Sequence, residues 1–267
     1  MPHWIAALLG VVEGLTEYLP VSSTGHLLLV SRWLDLHGEA VDSFDIVIQL
    51  GAILAVVVHY RALLLERASG LLRKEEASLQ LIAALAAGFV PTAAAGFFLR
   101  KAIKRLLFGP TPIAVALIAG GVLMIVWGKW VKKPGEGLTG LQHVTPKRGF
   151  YIGLGQCLSL CPGASRSMCT ILAGELTGLS SATAAEFSFL LGLPTLGAAT
   201  LYEGMKARHA LLHDVGAANI IIGLAVSFVV AWGVIAAFIR YLQRHSLAPF
   251  GVYRIAIGVA VFFTLVH

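Results

Sequence analysis

The sequence holds 267 residues, of which 57% are hydrophobic and 13% charged, with a net charge of +6 and a mean hydropathy of +0.82. A soluble domain carries about a quarter charged residues, and no soluble fold of this size could bury so much apolar side chain, so the composition excludes a soluble globular protein. Lys and Arg are scattered over short loops without a basic face interleaved with aromatics, which argues against a nucleic-acid partner; setting orientation and touching anionic lipid headgroups are their expected uses.

The start of the chain lacks a basic n-region, and Glu13 and Glu17 interrupt the first apolar run, so no cleavable signal peptide is expected. Residues 3–34 are apolar at spanning density on both flanks (IAALLGVV and LLLV). Their middle is broken by Glu13, Glu17, Pro20, Ser22, Ser23, Thr24 and His26. Glu13 and Glu17 are four apart, which puts both carboxylates on one helix face. Pro20 stops that helix. Ser22 and Ser23 can cap the next one, whose free N–H groups suit an anion, and His26 falls about one turn into it. Such a polar set would be costly at membrane depth if idle, which argues against a surface loop. A structural role for one of the two glutamates stays open.

Asp35, Glu39, Asp42 and Asp45 then read as a solvated acidic loop. A spanning helix needs about 20 apolar residues, and segments near 44–60, 79–99 and 112–131 qualify. Residues 149–178 are again apolar but broken, by Pro162, Gly163, Ser165, Arg166 and Ser167, with Gln156 before the break and Thr170 after it. Pro-Gly makes a turn there, and a lone arginine beside a helix N-terminus offers a fork for phosphate oxygens. The alternative is an arginine paired structurally with Glu13 or Glu17. Three further segments, near 184–205, 216–239 and 250–266, complete six spans. Gln49 and Glu186 lie in the helices after each broken segment and are secondary candidates. Cys157, Cys161 and Cys169 fit neither a zinc site nor a disulfide framework and read as small buried hydrophobes. The histidines other than His26 read as interfacial, His267 at the C-terminus among them.

The two broken segments correspond. Pro162 follows Pro20 by 142 residues and Phe187 follows Phe44 by 143, and SFDIVIQLG (43–51) aligns with EFSFLLGLP (186–194). Non-helical backbone at membrane depth survives only when protein or a wet cavity surrounds it, so each segment reads as a re-entrant hairpin with its tip at a cavity. The fold expected is an all-α integral membrane protein: six transmembrane helices plus two re-entrant hairpins in an inverted-topology repeat. It forms one membrane domain, 1–267, with repeats at about 1–105 and 149–240 and a final helix at 250–266. Loops 61–78, 129–148 and 240–249 carry eleven Lys/Arg against seven in the opposite set, which favours the first set as cytoplasmic and both termini outside. Inverted repeats with broken helices also build transporters, so flipping of a polyprenyl phosphate or ion-coupled uptake is the rival reading.

EGLTEYLPVSSTGH together with PGASRS closely resembles the undecaprenyl-pyrophosphate phosphatase family, the bacitracin-resistance proteins of the BacA type. IQLGAILAVVV and AAEFSFLLGLP are further family-like stretches, and the resemblance runs from about residue 5 to the C-terminus. It implies hydrolysis of undecaprenyl pyrophosphate at the outer face of the bacterial cytoplasmic membrane, with a divalent cation, Mg2+ or Ca2+, as cofactor. Glu13 and Glu17 match the family's acidic motif and would hold the metal. Ser23 and His26 match its nucleophile or base candidates, and Arg166 between Ser165 and Ser167 its phosphate-binding motif. Ser22, Thr24, Thr170 and Gln49 join Ser165 and Ser167 as substrate-binding candidates. Met168 stands where the family commonly has glycine, and Glu175 and Ser181 are unusual. The expected partners are the prenyl diphosphate and membrane lipids, with a homodimer as the form of any self-association.

Overall fold

In the computed structural model the chain is helical, and the described residues contain no strand beyond one bridge between Leu138 and Leu179. The structure describes residues 1–107, 109–131, 133 and 135–265, with the backbone alone at 100 and 104. The expected helix end at 266 and the interfacial His267 lie outside the described residues, as does Lys132 of the 129–148 loop.

The first broken segment forms α1 (His3–Thr16) and α2 (Ser23–Trp33). Next come α3 (Glu39–Val47) and α4 (Gln49–His59), joined at Ile48 into one apolar run. The acidic stretch is therefore not a loop throughout. Glu39 and Asp42 occupy the first turn of α3, where carboxylates complement the exposed N–H groups, and Asp45 follows within the helix. The stretch expected as loop 61–78 is also largely helical, as α5 (Arg61–Leu72); its apolar face is too thin to bury, so sequence pattern alone gave no span there. Then follow α6 (Glu76–Leu106) and α7 (Pro110–Val126), the latter extended by a π-helical turn to Val131. The second broken segment gives α8 (Pro146–Cys157) and α9 (Arg166–Leu176). After it come α10 (Ser181–Lys206), the single turn α11 (Arg208–Ala210), α12 (Ala217–Leu242) and α13 (Ala248–Leu265).

Six of these stretches are long and apolar enough to cross a membrane: Glu39–His59, Glu76–Leu99, Pro110–Val131, Ser181–Lys206, Ala217–Leu242 and Ala248–Leu265. They coincide with the six expected segments to within a few residues. Side chains are distributed for a lipid solvent. Phe97 and Trp130 are 79% and 76% exposed, while Glu13, Thr170 and Ser188 are fully buried. This is an all-α, multi-pass membrane architecture.

Without a hydrophobic drive between helices in lipid, close backbone approach through small residues does the packing. A Cβ at Gly14 of α1 would stand 2.7 Å from the Ser227 carbonyl of α12, and one at Gly153 of α8 would strike the Gly88 carbonyl of α6. So α1 packs on α12 and α8 on α6, each broken pair leaning on a long helix from the other half of the chain. α13 packs along α7 and reaches α2. This arrangement brings the two turns, 17–22 and 158–165, against each other.

Candidate active site

The two turns are built alike. Ser22 and Ser165 each have a φ of 72° and each cap the helix that follows, accepting from Gly25 N at 3.4 Å and Met168 N at 3.3 Å. Sparsely populated backbone of this kind costs on the order of 1–3 kcal/mol and persists only where the surroundings fix it. One fixing contact is direct: Ser167 donates from Oγ to the Leu19 carbonyl at 2.8 Å, tying the second turn to the first.

Arg166, the first residue of α9, crosses to the other turn. Its Nε and Nη2 donate to Glu17 Oε1 at 3.4 and 3.3 Å, and its Nη1 donates to the Ser188 carbonyl and hydroxyl at 2.7 and 3.2 Å. The guanidinium carbon also lies 5.9 Å from the centre of the Tyr18 ring. The second oxygen of Glu17, Oε2, accepts from Ser23 Oγ at 2.8 Å. A hydroxyl, a carboxylate and a guanidinium thus stand in a line assembled from both turns.

A cavity of about 220 Å³ opens onto this line. Glu17, Ser22, Ser23 and Thr24 border it from the first turn, Ser165 and Arg166 from the second, and Gln49 from α4. Its walls therefore include the first turns of α2 and α9, whose unpaired N–H groups favour an anion. The geometry suits binding a multiply charged anion and removing a proton from Ser23.

Other expected residues sit elsewhere. Glu13 is fully buried and is not on the cavity wall; both its carboxylate oxygens meet no hydrogen-bond donor among the described residues. His26 also stands off the wall. Its Nδ1 lies 2.8 Å from the Ser22 carbonyl, which can only accept, so Nδ1 carries a proton there. Its Nε2 lies 2.8 Å from the Tyr253 hydroxyl, whose ring stacks on the imidazole. Thr170 is buried beneath Arg166, bonding the Arg166 carbonyl at 2.8 Å and Ser188 Oγ at 2.6 Å. Ser167 spends its hydroxyl on the tie between turns. Thr170 and Ser167 therefore support the arginine and the turn and do not face the cavity. Glu186 is off the wall too.

Several residues of the site were missed from sequence. Thr92, Ser159 and Thr195 line the cavity beside Gln156, already part of the second polar cluster in sequence, and Cys161, which is half-buried on the wall and not the fully buried hydrophobe expected. Thr92 donates to the Gly153 carbonyl at 3.1 Å and accepts from Gln156 Nε2 at 2.9 Å. That leaves Gln156 Oε1 without a partner among the described residues. Ser188, which orients Arg166, and Arg254, which reaches both turns, were also unforeseen. Each is a lone polar side chain in an apolar helix, and its spacing carries no signal. Glu175 and Ser181, which depart from the expected pattern, bond each other away from the cavity, with Trp127 Nε1 donating to Glu175 at 2.6 Å.

Known proteins carry the same arrangement of sequence. The profile described as bacitracin resistance protein BacA matches residues 6–260. A protein of Sorangium cellulosum (strain So ce56) named undecaprenyl-diphosphatase is 55% identical over 258 residues, covering 96% of this chain and 84% of that one. One of the same name from Novosphingobium aromaticivorans is 46% identical over 256 residues, covering 95% and 94%. The undecaprenyl-diphosphatase 2 of Shewanella oneidensis is 37% identical over 261 residues, covering 96% of each. With two matching turns, a shared cavity and similarity along nearly its whole length, the chain belongs to the bacitracin resistance protein BacA family.

Proposed function

We propose that the protein hydrolyses undecaprenyl diphosphate to undecaprenyl phosphate and inorganic phosphate, recycling the lipid carrier of peptidoglycan synthesis and conferring bacitracin resistance. The observation that carries this reading is the Ser23–Glu17–Arg166 line at the cavity between the turns. The relatives named undecaprenyl-diphosphatase support the substrate. Release of inorganic phosphate from a prenyl diphosphate by purified protein in detergent tests it.

Phosphoryl transfer needs in-line positioning and charge neutralisation more than elaborate covalent chemistry. Ser23 is the nucleophile in this proposal. Its Oγ attacks the terminal phosphorus, the bridging P–O bond breaks, and undecaprenyl phosphate leaves. Glu17 takes the Ser23 proton. Glu17 passes that proton to the departing undecaprenyl phosphate, takes another from the water that attacks the phosphoserine, and returns it to Ser23 Oγ as inorganic phosphate departs. Arg166 exchanges Glu17 for phosphate oxygens when the diphosphate enters, which neutralises the transferred group and frees Glu17 as a base. His26 is disfavoured as nucleophile because both its nitrogens are engaged, by Ser22 and Tyr253. The isoprenoid tail lies among the helices in lipid.

A divalent cation, Mg2+ or Ca2+, is part of the proposal, with Glu17 and Glu13 as its protein ligands. The buried carboxylate of Glu13, whose oxygens meet no hydrogen-bond donor among the described residues, supports this. Among the described residues no cluster of three or more His, Cys, Asp or Glu offers a complete protein-made site, so Glu17 and Glu13 would hold the ion only together with oxygens from outside the protein. When bound, the ion supplies charge neutralisation at the phosphoryl group.

The two broken pairs are proposed as re-entrant hairpins of an inverted repeat. The near-constant offset, the matched conformations of Ser22 and Ser165 and the crossed packing of α1 on α12 and α8 on α6 support it. The eleven-to-seven Lys/Arg asymmetry supports a cavity facing the outer side of the bacterial cytoplasmic membrane. Self-association as a homodimer is read out by the mass of the protein–detergent complex.

A further inference from the structure

Arg254 lies on α13, outside both broken pairs, and is fully buried. A guanidinium at this depth is costly unless its donors are met. Its hydrogen-bond partners among the described residues are four backbone carbonyls. Nη1 donates to Pro20 at 3.1 Å, Nη2 to Gly163 at 2.8 Å and Ala116 at 3.1 Å, and Nε to Leu117 at 3.4 Å.

Two of these carbonyls are equivalent points on the two turns. Pro20 stands two residues before Ser22, and Gly163 two residues before Ser165, the two serines that share the 72° φ. Three residues beyond each carbonyl come Ser23 and Arg166, the groups that must meet across the cavity. The remaining two bonds anchor the same guanidinium to α7. The guanidinium is a planar fork with fixed spacing between its donors, so it sets how far apart the two carbonyls stand. Room for it depends on Gly120, where a Cβ would strike Nη2 and stand 3.0 Å from Cζ.

We propose that Arg254 is a positioning residue for the reaction, clamping the Pro20 and Gly163 carbonyls on one guanidinium so that Ser23 and Arg166 are held at working separation. It touches neither the cavity nor the substrate; it acts through the two turns. The inference rests on the hydrolase reading above. A lysine keeps the charge but offers a single point in place of the fork, and it cannot hold both carbonyls at a fixed distance.

Steady-state phosphate release from a prenyl diphosphate in detergent, measured per folded molecule, tests it with Arg254→Lys, Arg254→Gln and Gly120→Ala. The expected result is a kcat lower by about 100-fold in the Arg254 variants with KM within about twofold of wild type, because misplacement of reacting groups by about 1 Å has this size of effect. Gly120→Ala leaves Arg254 in the chain but pushes its guanidinium aside, and it should lower kcat in the same way. Arg254 variants with lowered Tm but wild-type kcat per folded molecule would overturn the proposal and leave a purely structural role. If the Arg254 variants fail to fold, wild-type kcat in Gly120→Ala overturns it alone. A wild-type protein that releases no phosphate sinks the hydrolase reading itself, which separates the two failures.

Discussion

Arg166 reaches Glu17 across 149 residues of chain, its Nη2 3.3 Å from Oε1, with the two side chains 8% and 6% exposed. This contact makes one site of two turns, and it predicts how the arginine can be replaced. Arg166→Lys keeps the charge but cannot bond Glu17, Ser188 and phosphate oxygens as a fork. Turnover should fall by about 10²–10³, the effect of removing one preorganised donor, and Arg166→Ala should lose more. Steady-state phosphate release reads this, and an Arg166→Lys protein within twofold of wild type would discard the role.

Glu17 and Ser23 make the second prediction. Glu17→Gln preserves the shape but leaves one oxygen to serve both Ser23 and Arg166, so Tm should fall and turnover is compared per folded molecule. It cannot take the proton, and turnover should drop by about 10²–10⁴. Ser23→Ala should be comparably inactive. Substantial release by Ser23→Ala would assign the attack to water and not to the serine.

The cation is tested by removal. EDTA should abolish activity, and added Mg2+ or Ca2+ should restore it. Glu13→Gln should raise the cation concentration needed for half-maximal rate, because it removes one proposed ligand while leaving the Ser23–Glu17–Arg166 line in place. An enzyme indifferent to EDTA refutes the metal.

Orientation is tested by labelling single cysteines with a membrane-impermeant reagent on whole cells. Positions in 206–215 should react from outside and positions in 61–78 should be protected. The opposite pattern inverts the arrangement and turns the cavity toward the cytoplasm.

Much of this was legible in sequence for a physical reason. Long apolar segments and polar interruptions are local signals, so the six helices and the turns around Pro20 and Pro162 could be read within a few residues. Pairing of Arg166 with Glu13 or Glu17 stood in the sequence only as an alternative; an isolated guanidinium at depth costs about 2.5–3.5 kcal/mol on insertion scales, and the other turn is rich in acceptors. What could not be read is pairing between single residues on separate helices. Ser188, Thr92 and Arg254 each sit alone in apolar stretches, and only the packing of α10, α6 and α13 reveals their partners. His26 shows the converse. The resemblance made it a nucleophile or base candidate, but a helix turn carries it toward Tyr253.

The most direct test is the release of inorganic phosphate by purified wild-type protein given a prenyl diphosphate in detergent with Mg2+ or Ca2+, run beside Glu17→Gln and Arg166→Ala. The account predicts one inorganic phosphate and one prenyl monophosphate per substrate consumed, with both variants reduced by orders of magnitude. No release by the folded wild type, or equal release by all three proteins, would contradict it.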